Sequence, residues 1–146
     1  MARTLSASIL VLFIASLISG RAQSPAQQAQ NNAKQALQSQ LSKEGKDCSD
    51  ARNNLDDKLC ITQVSQQTEQ DMATFYQNLK QIIGSPPDLE EAQQAWLVYR
   101  QKSCGAIGSF FEGGTGQVGF EARCDIQLTR SRMKDLDAIY NLPLHH

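Results

Sequence analysis

The sequence predicts an all-α fold: a small three-helix domain, an antiparallel helical hairpin plus a C-terminal helix, with a glycine-rich loop and two disulfides. Three observations predict it. Apolar residues between Asn53 and Asn141 recur at spacings of three and four, and no segment alternates cleanly enough for a strand. Helix stop signals, Gly84 and Pro143, bound those runs. Four cysteines (Cys48, Cys60, Cys104, Cys124) follow an N-terminal export pattern, which favours oxidised pairs.

The chain has 146 residues, enough for one domain. Residues 1–22 read as a signal peptide. Arg3 precedes an apolar run from Ile9 to Ile18, and Gly20-Arg21-Ala22 supplies a small-x-small cleavage site. That run is far shorter than the roughly 20 residues a helix needs to cross a bilayer. The expected localisation is periplasmic or secreted, with no membrane attachment after cleavage. Cleavage removes Arg3 and Arg21, leaving 12 basic against 15 acidic residues, a net charge of −3. A mildly acidic chain disfavours nucleic acid and anionic lipid as partners and favours a basic protein.

Residues 23–46 are rich in Gln, Ala, Asn and Ser, and only Leu37 and Leu41 offer apolar bulk. Isolated helices of this length are marginal in water, so the stretch reads as a flexible lead or frayed helix. The folded domain is expected over residues 47–142, followed by a tail at 143–146.

The first helix is predicted from Asn53 to Ile83. Leu55, Leu59, Thr62, Met72, Tyr76, Leu79 and Ile83 step by three and four. Asn53 or Asn54 caps it, and Asp56 and Asp57 complement the dipole of its first turn. Its polar middle, with Gln66 and Glu69, reads as a kink or a solvent-facing stretch. Ser85 reads as the cap of the second helix, with proline following in the first turn. That helix runs to about Ser103, with Leu89, Ala92, Trp96, Tyr99 and Ser103 on one face. A short link between the two implies an antiparallel pair. Six of the nine glycines then fall between Cys104 and Cys124, a density that argues for a loop. The third helix, from about Phe120 to Asn141, puts Leu128, Arg132, Leu136, Ile139 and Tyr140 on or near one stripe.

Four cysteines allow three connectivities. Cys48 and Cys60 would lie about 18 Å apart on one straight helix, whereas a disulfide needs Cα atoms within roughly 7 Å. Their pairing therefore requires a turn between them, and Asn53-Asn54 is where a helix can begin. Pairing Cys104 with Cys124 would bracket the glycine-rich loop and stabilise the fold by roughly 3 kcal/mol in the chain-entropy model. The pairs 48–60 and 104–124 are favoured; the alternatives cross-link the first helix to the loop. A zinc site is not expected, since close cysteine pairs are absent and the two histidines are His145 and His146. No cofactor is implied.

Trp96 and Tyr99 read as core, with Arg100 at the rim or folded inward against a carboxylate of the first helix. A partner-facing patch is the competing reading, because Trp, Tyr and Arg are enriched at binding hot spots. The same stretch carries a family resemblance. Leu89, Ala92, Gln93, Trp96, Tyr99, Arg100 and Cys104 form L-x-x-A-Q-x-x-W-x-x-Y-R-x-x-x-C, which resembles the central motif of the LprI-type lysozyme-inhibitor family. Cys48-x11-Cys60 is similar to the cysteine pair at the family's start. Glu69, Met72 and Tyr76 match its acidic–aliphatic–Tyr spacing. Gly113-Gly114 resembles its glycine pair, and Cys124 with Leu128, Thr129, Arg132 and Leu136 resembles its closing helix. The likeness spans about residues 47–140. Gln101 and Ala73 depart from it, standing where the family often has Asp and Asn.

The resemblance implies an exported binding protein that occludes a lysozyme cleft without catalysis. The alternative is a cell-envelope interaction module with another partner. The candidate partner-binding residues are Phe110, Phe111 and Glu112 of the glycine-rich loop, with Arg100. Phe110 and Phe111 either plug the cleft or fold over the helices and close the core. An enzyme is not expected: no histidine lies in the body of the domain, oxidised cysteines offer no thiol nucleophile, and Asp88, Glu90 and Glu91 suit a helix start.

Overall fold

The computed structural model describes residues 22–114 and 116–140. The predicted signal peptide, Ala22 apart, and the tail at 143–146 lie outside the described residues. Within them the chain forms four helices and no strand: α1 (Pro25–Leu41), α2 (Asn54–Ile83), α3 (Pro87–Ser109) and α4 (Gln117–Ile139).

The first helix corrects the expectation of a flexible lead. Ser24 and Gln27 form a reciprocal capping box, with Gln27 N donating to Ser24 Oγ at 3.2 Å and Ser24 N donating to Gln27 Oε1 at 2.9 Å. Pro25 starts the helix without losing an intrahelical bond. Its buried face is Ala29, Ala33, Ala36, Leu37 and Gln40. Alanine brings little area to the core, but it lets the α1 backbone come close to α2. Tertiary packing, rather than intrinsic propensity, therefore holds this helix.

Asn53 caps α2, its Oδ1 accepting from the backbone N–H of Leu55 and Asp56 at 3.0 Å each. At the other end Gly84 takes φ +83°, and its N–H donates to the Lys80 carbonyl at 2.9 Å. That left-handed turn favours glycine for want of a Cβ. The helix runs unbroken through its polar middle, where Gln66 and Glu69 face solvent and Thr68 between them is buried. Leu55 and Leu59 are instead exposed, and the inward face is Ile61, Thr68, Met72, Phe75, Tyr76 and Leu79. The apolar spacing named the wrong stripe in the first turns, because only the partners decide which apolar face is covered.

Pro86 rather than Ser85 takes the cap position of α3, and no side chain caps it. The inward stripe of α3 is Leu89, Gln93, Trp96, Arg100 and Cys104, not the predicted Leu89, Ala92, Trp96, Tyr99 and Ser103. Ala92 and Tyr99 are exposed. α3 also runs to Ser109, and α4 begins at Gln117, so helix replaces most of the expected glycine-rich loop. Only residues 110–116 connect them.

α4 packs against both α2 and α3, and α1 covers α2. The core gathers Ala33, Leu37, Met72, Phe75, Leu79, Leu89, Met133 and Leu136. Burying each large member stabilises the fold by about 1.5–3 kcal/mol. Ile139, expected on the inner stripe of the last helix, is 66% exposed; Met133 takes that place.

A polar network crosses this interior. Gln40 Oε1 accepts from Thr68 Oγ1 at 2.9 Å and from Arg130 Nε at 3.0 Å, while its Nε2 donates to Asp71 at 2.6 Å. One buried glutamine thus joins α1, α2 and α4. Each polar group of this network has a partner, which removes the cost of desolvating it alone.

Candidate protein-binding surface

The disulfides join Cys48 to Cys60 and Cys104 to Cys124, with Cα atoms 5.9 and 5.5 Å apart. The first folds the 42–52 link against the start of α2; Cys48 reaches it through a left-handed φ of +58°. The second ties the last turns of α3 to the second turn of α4. It defines the base of a hairpin end built from residues 105–114 and 116–123.

At that end the backbone closes by successive turns. Phe111 N donates to Gly108 O at 2.9 Å, and Gly114 N donates to Phe111 O at 2.8 Å. Gly113 takes φ +76°, the position where the link needs glycine. Phe111 stacks on Phe120 across the hairpin, ring centroids 4.0 Å apart and planes 13° from parallel. With Phe111 so engaged, Phe110 points away and is 87% exposed. Ile107, Val118 and Phe120 are also exposed, so the end presents an apolar cap. Glu112 stands beside it in solvent. Gly108 leaves room for the Glu121 side chain: a Cβ there would meet Glu121 Oε1 at 1.9 Å.

Of the partner-binding candidates, the structure brings Phe110, Phe111 and Glu112 together and separates Arg100 from them. Arg100 folds inward. Its Nη1 donates to Thr129 Oγ1 at 2.8 Å and to Glu69, its Nε lies 3.8 Å from Asp125, and its guanidinium stacks over Trp96 at 5.0 Å. A guanidinium so engaged holds α3 to α2 and α4. Arg132 flanks the same indole at 6.0 Å and donates from Nε to Gln93 at 3.3 Å. The motif residues Gln93, Trp96, Arg100 and Arg132 therefore form one cation–π and hydrogen-bond layer between α3 and α4. Leu89 and Leu136 are core, whereas Ala92 and Tyr99 face outward.

The titrations shifted near these layers include those of Tyr76 and Asp125. Burial, reinforced by the Glu90 charge and hydrogen bond, pushes the Tyr76 hydroxyl up to about 12. The hydroxyl lies 3.2 Å from the Leu89 carbonyl and 3.3 Å from Glu90, closing the α2–α3 turn. Burial also holds the Asp125 carboxyl above its ordinary range, with Arg100 opposing and Glu69 and Glu121 adding to the shift.

The sequence places Phe120 only at a helix start; Phe120, Ile107 and Val118 join the cap through the fold. An aromatic facing the Phe110-Phe111 pair across a disulfide-closed loop was the available signal. Among the described residues no group of three His, Cys, Asp or Glu is placed to hold a metal ion, and no helix is long and apolar enough to cross a membrane.

No curated protein and no solved structure matches the chain. The family model described as lysozyme inhibitor LprI matches residues 17–136, taking in all of α1 to α3 and nearly all of α4. A match over that much of the chain, on a helical frame with two disulfides, makes this protein a member of the lysozyme inhibitor LprI family.

Proposed function

We propose that the protein is an exported inhibitor that occludes the cleft of a lysozyme with its hairpin end, without catalysis of its own. The observation that carries the reading is Phe110, 87% exposed at the end of a disulfide-braced hairpin. Contiguous exposed apolar patches, unlike single exposed side chains, mark interaction sites, and Phe110 adjoins the exposed Phe111–Phe120 stack. Phe110 enters the cleft, the Phe111–Phe120 stack supports it, and Glu112 pairs with a basic group at the cleft mouth. Family membership supports the partner class. Lysozymes cleave glycan with two carboxylates in a cleft, so a plug needs shape and apolar contact rather than reactive groups. The net charge of −3 after signal cleavage suits a basic enzyme, with steering that salt weakens. The compartment is periplasmic or extracellular, where the two disulfides are stable.

A second reading, a cell-envelope module docking another protein, draws on Val98 and Tyr99, which are 51% and 58% exposed on α3. The test is a cell-wall lysis assay with purified protein, beside a variant carrying Phe110→Ala and Phe111→Ala. The intact protein inhibits and the variant loses most inhibition. Absence of inhibition by intact protein at micromolar concentration rejects the first reading for that lysozyme type.

A further inference from the structure

We propose that the Cys104–Cys124 disulfide is a redox lock on the hairpin end: opening it frees residues 105–109 and 117–123 from helical order and dissolves the apolar cap, while the helical body stays folded. This concerns regulation of the surface assigned above. Its effect on a partner rests on that reading; its structural half does not.

The sequence beyond the disulfide is poorly equipped to hold itself. Gly105 and Gly108 lie in the last turns of α3 and Gly119 in the first turn of α4. Glycine is the weakest helix former after proline. Burial tells the same story. From Gly105 through Phe120 the described residues bury only Gly108. From Ile126 onward α4 buries Ile126, Thr129, Arg130, Met133 and Leu136. Across the hairpin end the contacts are the exposed Phe111–Phe120 stack and the Glu121 side chain against Gly108. Arg123 pairs with Asp57 at 2.6 Å, but both are substantially exposed, and such pairs hold little. The covalent link, with Cα atoms 5.5 Å apart, is what keeps the two glycine-rich helix ends in register. The body below is held by packing instead: Phe75, Leu79 and Met133 are all 0% exposed.

Cys104 is 3% exposed and Cys124 half-buried, so a reductant reaches the pair from the Cys124 side. Cys104 forms part of the wall of an open groove of about 410 Å³, with Arg100, Gln101, Gly105, Glu121 and Asp125. A dithiol reductant fits the chemistry. One of its thiolates attacks a sulfur of the pair, the Cys104–Cys124 bond breaks, and a mixed disulfide forms. Its second thiolate then closes its own disulfide and releases the remaining cysteine. Two electrons and two protons pass from the reductant to two protein thiols, so one disulfide is exchanged for another.

The test is hydrogen exchange read by mass spectrometry on oxidised protein, on protein reduced with dithiothreitol, and on a Cys104→Ser, Cys124→Ser variant that keeps Cys48–Cys60. Residues 105–114 and 116–123 exchange about a hundred-fold faster in the variant and the reduced protein. Segments 72–79 and 129–136 keep their protection in the variant. Unchanged exchange at the hairpin end overturns the proposal, and so does equal acceleration of the core segments. A lysis assay on the same samples reads the partner half. The variant loses inhibition at least in proportion to its disorder; a disordered end with undiminished inhibition also overturns the lock. If oxidised protein inhibits no lysozyme, the functional reading fails, and the exchange data decide the lock by themselves.

Discussion

Arg130 grips Asp47 with a fork of two hydrogen bonds, from Nη1 to Oδ2 and from Nη2 to Oδ1, the latter 2.9 Å long. The arginine side chain is 4% exposed and the aspartate 15%. The pair fixes the link between α1 and α2 onto α4, and Gln40 on α1 accepts from the same guanidinium.

Removing one partner strands the other. Asp47→Ala leaves the Arg130 charge buried and half-satisfied, at an expected cost of about 3–5 kcal/mol in urea unfolding. Replacing both, with Asp47→Leu and Arg130→Met, recovers most of that loss, because no lone charge remains. A double variant no more stable than Asp47→Ala contradicts this account of the pair.

Core and surface aromatics should separate cleanly. Phe75 is 0% exposed, and Phe75→Ala costs about 3–5 kcal/mol through lost burial and a cavity. Tyr99, 58% exposed, changes stability by less than about 0.5 kcal/mol on mutation to Ala. Urea midpoints with unchanged slopes check both.

How much of this was legible beforehand differs by element. The stop at Gly84 and the cap at Asn53 could be read from sequence because such signals are local: a missing Cβ, a side-chain oxygen near two free N–H groups. α1 could not. Its buried face is three alanines, one leucine and Gln40, and burying a glutamine makes sense only once Arg130, 90 residues away, is beside it. The same limit misplaced the inner stripe of α3. Gln93 is inside because Arg132 donates to it, while Tyr99 is outside although it looks more apolar. Glycine content pointed to a loop between Cys104 and Cys124; in the structure the disulfide, rather than burial, holds the two helix ends against that propensity. At the candidate surface, Phe110, Phe111 and Glu112 were recognisable as a unit because they are contiguous. Phe120 joins them only through the fold.

The alanine face of α1 makes its own prediction. Ala33 is 0% exposed, packed in the core between α1 and α2. Ala33→Leu forces the helices apart and costs about 1–3 kcal/mol, whereas Gln35→Leu, on the exposed side, leaves unfolding nearly unchanged. Equal effects from the two would mean that α1 does not dock in solution.

Asp125 sets a pH dependence. Its carboxyl titrates above the ordinary range in the native state because burial disfavours the charge. The native state therefore keeps that proton to higher pH than the unfolded chain does. Between the ordinary carboxylate value and the raised native one, the group's contribution to stability falls as pH rises. Asp125→Asn removes the buried charge, so the variant is the more stable at neutral pH. The gap closes as pH falls below the ordinary carboxylate range. Urea midpoints from about pH 3 to about pH 7 follow both limits of the titration. A variant less stable at neutral pH would show that the attraction of Arg100 outweighs desolvation.

The measurement that bears most directly on the central claim is exchange footprinting of the protein with and without an excess of a lysozyme that it inhibits. Occlusion by the hairpin end predicts new protection concentrated at residues 107–114 and 116–120, and none on the outer face of α1. Protection centred on Val98 and Tyr99 of α3, with residues 107–120 left unchanged, would contradict it.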